Sequence, residues 1–378
     1  MKQYIPLGEV ITKASVERCG GNQFPILSIT MKDGLVLQDE KFKKRIASVD
    51  TSDYKVIPRG KLVQGIHIDE ANFGIQDIVD AGIVSPAYKV WDVNDRCIFP
   101  KYLEIIMRSP RSIGFYKSKL NGSVNRRGRM TDDDFLGMLI PVVDYSEQIR
   151  IVDILNRVKG VIAKREHELS ALDDLIKARF VEMFGDQESN PKGWDKCTVG
   201  DCCTLKSGTS LPADKEDEGG PIPYVKVGDM NYHGNERYIT TSSRFVSAET
   251  AGKGLFEVGS ILFPKRGGAI GTNKKRMTIL PICADLNIMG VSSKGRLVPE
   301  YLLSYFDMID LGSLADGSSV PQINNKNIAP LEICLPPMEL QREFAAFVKQ
   351  IDKSKSVIHK SLDETQLLFD SLMQKYFG

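Results

Sequence analysis

From Gln148 to Phe184 apolar residues recur at alternating spacings of three and four, the signature of a heptad. Its a positions are Ile151, Val158, Arg165, Leu172 and Arg179, and its d positions are Leu155, Ile162, Leu169, Ile176 and Met183. Moved along the chain by the 193 residues that separate Gln148 from Gln341, the same frame gives Phe344, Ile351, Ile358, Thr365 and Leu372 at a. At d it gives Val348, Lys355, Leu362, Phe369 and Tyr376. The spacing predicts two helices of roughly 38 residues, each about 57 Å long at ~1.5 Å per residue. Arg165, Arg179 and Lys355 interrupt the seams, where long stems can snorkel or set register at some cost in stability. Neither seam can be left in water, so the simplest partner of each is the other. Ordinary bundle helices inside one larger core would give the same periodicity.

The shift reveals a repeat. Phe184-Gly185 falls on Phe377-Gly378 without a gap, and the alternating Met138, Ile140 and Val142 fall on Leu331, Ile333 and Leu335. That period of two predicts a strand with one buried face. Asp134-Phe135 falls on Asn327-Ile328. With slightly different shifts, "LGE" at Leu7 matches "VGD" at Val199, Gly60 matches Gly259, and "PKYL" at Pro100 matches "PEYL" at Pro299. Coincidence explains one such anchor but not an ordered series of them. The expectation is therefore an α+β chain: globular region 1–146, long helix 147–185, globular region 186–338, long helix 339–378. If a pseudo-two-fold axis relates the halves, the helices run antiparallel and the globular regions sit at opposite ends.

Composition narrows the chemistry. The formal net charge is +1 at pH 7, so no global basic field announces nucleic acid, although a local patch suffices. The seven cysteines form no C-x-x-C pair and read as reduced thiols; the four histidines lack ligand spacing, so no metal site is expected. No segment reads as a signal peptide or membrane span, and a cytoplasmic protein is expected. The P-loop, G-x-S-x-G, H-E-x-x-H and kinase patterns are absent, as are the usual nuclease and amino-methyltransferase motifs, so the chain is not expected to be an enzyme. Asp132-Asp133-Asp134 is of a type that binds hard cations, but it matches an uncharged Asn327 and reads as a helix start.

The basic residues are clustered. In the first globular region the clusters are Lys41, Lys43, Lys44 and Arg45; Arg59 and Lys61; and Arg126, Arg127 and Arg129. In the second they are Lys265, Arg266, Lys274, Lys275 and Arg276, with Gln322, Asn324 and Asn325 in a Gly/Ser-rich loop before the repeated strand. Glycine-rich loops bring backbone N–H groups to phosphates, and Arg with Asn or Gln read guanine and adenine edges. For any single cluster, a solvated loop is the simpler reading.

Taken in order, the duplicated α/β region, the "EQIR" and "LQRE" helix starts and the "FGD…NPKGW" connector resemble the specificity (S) subunit of type I restriction-modification enzymes. The resemblance covers essentially the whole chain. It implies two target-recognition domains on double-stranded DNA and an antiparallel helical spacer. It also implies docking of methyltransferase (M) subunits, two of them, and of motor-nuclease (R) subunits through M. Ile151, Leu155, Val158, Ile162, Leu169, Leu172, Phe344, Val348, Ile351, Ile358, Leu362 and Phe369 are then the coiled-coil and partner-docking positions. S-adenosylmethionine and ATP are expected on those partners, and no cofactor on this chain. The competing expectation is a coiled-coil adaptor whose α/β regions bind proteins rather than DNA.

Overall fold

The computed structural model describes residues 2–42, 47–120 and 130–378. Contacts divide them into two compact units, 2–165 with 360–378, and 166–359. Both divisions fall inside long helices, so each unit is one globular region with half of each helix packed on it.

The first unit begins with β1 (Gln3–Pro6), β2 (Ile11–Lys13), β3 (Leu27–Thr30), β4 (Gly34–Leu37) and the short α1 (Gln38–Lys41). Strands β5 (Lys55–Pro58), β6 (Leu62–Gln64), β7 (Phe73–Ile75), β8 (Ala81–Val84) and β9 (Lys89–Val93) follow. Then come α2 (Pro100–Met107), α3 (Pro110–Lys119), α4 (Asp132–Leu136), β10 (Leu139–Val142) and the long α5 (Tyr145–Phe184). Pro100 and Pro110 open their helices where a missing N–H costs nothing. Thr131 caps α4 by accepting from the Asp134 amide at 3.0 Å, which places the acidic triplet in a first turn that favours negative charge. Lys89 and Lys13 pair with Asp132, and Lys119 with Asp134, so the triplet is a helix start as expected. The main sheet has the order β2-β9-β6-β7, and β1 pairs antiparallel with β10, Gln3 opposite Val142. Its core stacks Phe73 and Trp91 against Phe135, with centroids 5.8 and 5.1 Å apart, and the buried Trp91 indole donates to Gln64 Oε1 at 2.9 Å.

The second unit repeats this order. It contains β11 (Asp195–Thr198), α6 (Val199–Cys202), β12 (Cys203–Ser207), β13 (Ile222–Val225), β14 (Tyr238–Ile239), β15 (Phe245–Val246) and α7 (Ala248–Ala251). Strands β16 (Leu255–Phe256), β17 (Ile261–Pro264), β18 (Arg276–Thr278), β19 (Ile282–Ala284) and β20 (Ile288–Ser293) follow. The unit closes with α8 (Pro299–Asp307), α9 (Leu311–Leu314), α10 (Asn325–Ile328), β21 (Glu332–Leu335) and α11 (Met338–Phe377). Its main sheet runs β12-β20-β17-β18, the order of the first unit, with β14 added at the edge. Strand β11 pairs β21 with Asp195 opposite Leu335, the counterpart of Gln3 opposite Val142.

A buried glutamine fastens each globular region to the start of its helix. Gln148 Nε2 donates to the Val143 carbonyl at 2.8 Å while its Oε1 accepts from the Phe99 amide at 2.8 Å. Gln341 Nε2 donates to the Pro336 and Arg296 carbonyls at 2.9 and 3.2 Å, and its Oε1 accepts from the Val298 amide at 2.9 Å. Both side chains are 1% exposed, and such polar groups are stable in a core only when so satisfied.

The helices extend over 40 residues each, from Tyr145 and Met338. Every predicted a and d position is buried or half-buried. In the second unit Arg179 pairs with Glu343 at 3.2 Å and Asp173 with Lys355 at 2.7 Å, so α5 and α11 run antiparallel. In the first unit Lys159 lies 5.5 Å from the Phe369 ring, and Val152 and Leu155 share a core with Met373 and Phe377, the same sense. The repeated Phe-Gly endings close this arrangement. Phe184 packs edge-on to Tyr301 at 4.8 Å and Phe377 against Tyr102 at 5.3 Å, so each helix ends on the globular region that the other helix leaves. Gly185 then takes φ +78°, a left-handed stop that suits glycine.

Candidate nucleic-acid interface

Strand β17 is buried along its length, and its end delivers Lys265 and Arg266 to the surface. The Lys265 amide donates to the Asn287 carbonyl at 2.8 Å, and its Nζ reaches Ser207 Oγ at 2.9 Å, where β12 ends. The loop before α10 lies against this segment. The Gly267 amide donates to the Pro321 carbonyl at 2.8 Å, the Ile323 amide to the Lys265 carbonyl at 2.9 Å, and Arg266 bridges Gln322 antiparallel. Gly267 makes the turn at φ +69°. Asp316 holds the far side of the loop: its Oδ1 accepts from Ser318 Oγ at 2.7 Å and from the Gln322 amide at 2.9 Å. These bonds, Ser318 first, keep its carboxyl below the usual range. Asn324 starts α10 through a reciprocal cap with Asn327, whose Oδ1 accepts from the Asn324 amide at 2.9 Å.

Two clusters far apart in sequence thus become one edge carrying Lys265, Arg266, Gln322 and Asn325. Among the described residues, the side chains of Arg266, Gln322 and Asn325 make no hydrogen bond or ion pair within the protein. Arg266 and Asn325 are exposed and Gln322 is half-buried, so donor and acceptor capacity remains at this edge for base edges or phosphates.

The remaining candidates are differently placed. Lys41 pairs with Asp33 at 2.6 Å, Lys61 with Asp92, and Arg59 with Asp80 at 3.6 Å and with the Asp77 carbonyl. Lys274 is bonded to Asn231 Oδ1. Lys275 is 5% exposed, donates to Asn273 Oδ1 at 2.8 Å and the Ile309 carbonyl at 2.6 Å, and is an internal residue rather than a surface contact. Burial pushes its pKa down to about 8. Arg276 is likewise half-buried, donating to the Lys275 and Met230 carbonyls at 2.8 and 3.3 Å. Lys43, Lys44, Arg45, Arg126, Arg127 and Arg129 lie outside the described residues.

Strand register agrees with the match of Gly60 to Gly259. Leu62 and Ile261 are the equivalent positions, facing Ile75 and Met277 on one side and Trp91 and Val291 on the other. Arg59 and Lys61 therefore precede β6, whereas Lys265 and Arg266 follow β17, at the opposite end of the equivalent strand. Ile66 and His67 occupy the places of Lys265 and Arg266. Ser207 and Asp316 were not legible as site residues, because only the register of β12 and the folding-back of the loop bring them there.

Comparison with known proteins follows this architecture. The family model for the type I restriction modification DNA specificity domain matches residues 191–365. The type I restriction enzyme MjaIX specificity subunit of Methanocaldococcus jannaschii is 23% identical over 261 residues, covering 62% of this chain and 59% of the relative. The chain spans about three fifths of the length of the curated relatives it matches, 59% and 64% of two of them. A chain from a structural study of assembly and conformational transition in the type I R-M system aligns over 100% of this chain and 97% of its own length, with TM-score 0.58 and 19% identity. The S subunit of a type I restriction-modification system from M. genitalium aligns over 100% and 96%, with TM-score 0.55 and 13% identity. These likenesses show the fold. Residues 191–365 thus match a type I restriction modification DNA specificity domain, and the chain as a whole has the duplicated fold seen in the S subunit of such a system.

Proposed function

We propose that this chain selects the DNA sequence for a type I restriction-modification complex, reading a bipartite, asymmetric target with one globular region per half-site. The observation that carries the reading is the free edge of the second unit, where Arg266, Gln322 and Asn325 present unpaired side chains beside Lys265. Arg and Gln are suited to guanine and adenine edges, and Lys265 to a phosphate. The different residues at the equivalent end of β6, Ile66 and His67, favour a different half-site for the first unit. The chain itself supplies no catalysis in this reading. Two methyltransferase subunits bring S-adenosylmethionine, and motor-nuclease subunits docked through them bring ATP. A net charge of +1 is small for an independent DNA binder, so the partners provide much of the phosphate contact.

The test is methylation mapping of the assembled complex carrying Arg266→Ala or Gln322→Ala. Each is expected to relax one half-site while the other half is still required, with binding weakened by about 1–3 kcal/mol, roughly 5- to 150-fold. An unchanged methylation pattern in both variants refutes the assignment.

A further inference from the structure

The repeat places a cleft between globular region and helix in each unit, and two corresponding positions in the clefts carry opposite charge. Position by position, Arg108 of the first unit corresponds to Asp307 of the second, through Pro100 and Pro299. Lys159 corresponds to Asp352, through Gln148 and Gln341. In the second unit the acidic pair is occupied by the protein's own edge strand. Arg237 lies 3.6 Å from Asp307 and 3.8 Å from Asp352, and the Tyr238 hydroxyl donates to Asp352. The cavity left there is about 390 Å³.

Among the described residues no strand pairs with β7 as β14 pairs with β18, and the corresponding cleft is open, about 910 Å³. Arg108 donates to the Met31 and Lys32 carbonyls at 2.6 and 2.7 Å, and Lys101 holds Glu104 at 3.0 Å. Lys159 pairs with no carboxylate among the described residues and stands over the Phe369 ring. The floor is apolar, formed by Val152, Phe369 and Met373. Asp69 and Glu70 line the opposite wall and oppose a polyanion, which favours a peptide segment over a nucleic acid strand.

We propose that this cleft receives a segment of a partner protein bearing a carboxylate beside an apolar side chain, the charge-inverted counterpart of Arg237-Tyr238. The carboxylate meets Lys159, and the apolar side chain covers the floor between Phe369 and Met373. A partly desolvated ion pair over an apolar floor supplies both orientation and affinity.

The choice of probe rests on the function proposed above: the methyltransferase subunit of the same system, titrated against the full-length chain. Lys159→Glu is expected to weaken assembly at least about tenfold, while Lys159→Arg retains it. Both variants must keep the wild-type thermal melt, as substitutions on an exposed helix position should. Assembly unchanged by Lys159→Glu overturns the proposal. So does Lys159→Glu weakening DNA binding by the chain alone while assembly is intact, which makes the cleft a nucleic-acid site. Failure of the wild-type chain to bind the methyltransferase overturns both readings. Loss of assembly in Lys159→Glu, with methylation unaffected by the Arg266 and Gln322 variants, upholds the cleft and removes the half-site assignment.

Discussion

Replacing Gln341 by leucine keeps side-chain volume close to native and removes every polar contact that the glutamine makes. The Val298 amide loses its acceptor at 2.9 Å, and the Pro336 and Arg296 carbonyls lose donors at 2.9 and 3.2 Å. The side chain is 1% exposed, so water cannot replace these partners without opening the joint between α8 and α11. A stranded buried N–H costs about 1–3 kcal/mol and each carbonyl about 1 kcal/mol, while the added apolar burial returns about 1–2 kcal/mol. The net expectation is a loss of about 1–4 kcal/mol. Gln148→Leu should cost a similar amount in the first unit, where the Nε2 contact to the Cys97 carbonyl, at 3.5 Å, is the longer counterpart of that to Arg296. Native-state hydrogen exchange, which reads each unit separately, is the suitable assay, supported by urea denaturation at constant slope. Protection of the Val298 amide should fall in Gln341→Leu and that of Phe99 in Gln148→Leu. A loss under about 0.5 kcal/mol in either, or costs that differ several-fold, would refute the view that these glutamines clamp region to helix.

Phe184→Ala and Phe377→Ala each empty a fully buried ring site against a tyrosine and should cost about 3–5 kcal/mol by thermal or chemical denaturation; a surface-like cost below about 1 kcal/mol would show that the helix ends are not anchored. Lys275, with its pKa pushed down to about 8, destabilises the fold in full below that pH, and the penalty fades as pH rises toward the ordinary lysine value near ~10.4. The stability advantage of Lys275→Met over wild type should therefore shrink between about pH 8 and about pH 10, by on the order of 3 kcal/mol; a pH-independent difference contradicts it. The buried thiols of Cys203 and Cys283, raised to about 11, pull the other way above neutrality but do so equally in both proteins. Lys265→Ala should weaken DNA binding uniformly across sequences and lower the salt slope by about one, read from titrations at several ionic strengths.

Periodicity in the sequence determined the two long helices and their seams, and a shift of 193 residues determined that the chain is built twice. Both signals are carried by apolar spacing along a continuous segment, so neither depends on what the segment later touches. The resemblance to the type I specificity subunits follows from the order of those elements. The clusters of cations were equally visible as residues, yet nothing local distinguishes Arg266, whose side chain is unbonded among the described residues, from Arg59, which is tied to Asp80, or from Lys275, which is interior. That distinction rests on strand register and on a loop folding back so that Gln322 lies beside Arg266. The charge pairing in the second cleft has the same origin: Arg237 meets Asp352 only because the edge strand β14 reaches the helix. Hydrogen bonds and ion pairs form between groups brought together by tertiary packing, so the tertiary structure alone decided which charges are satisfied internally and which remain for a partner.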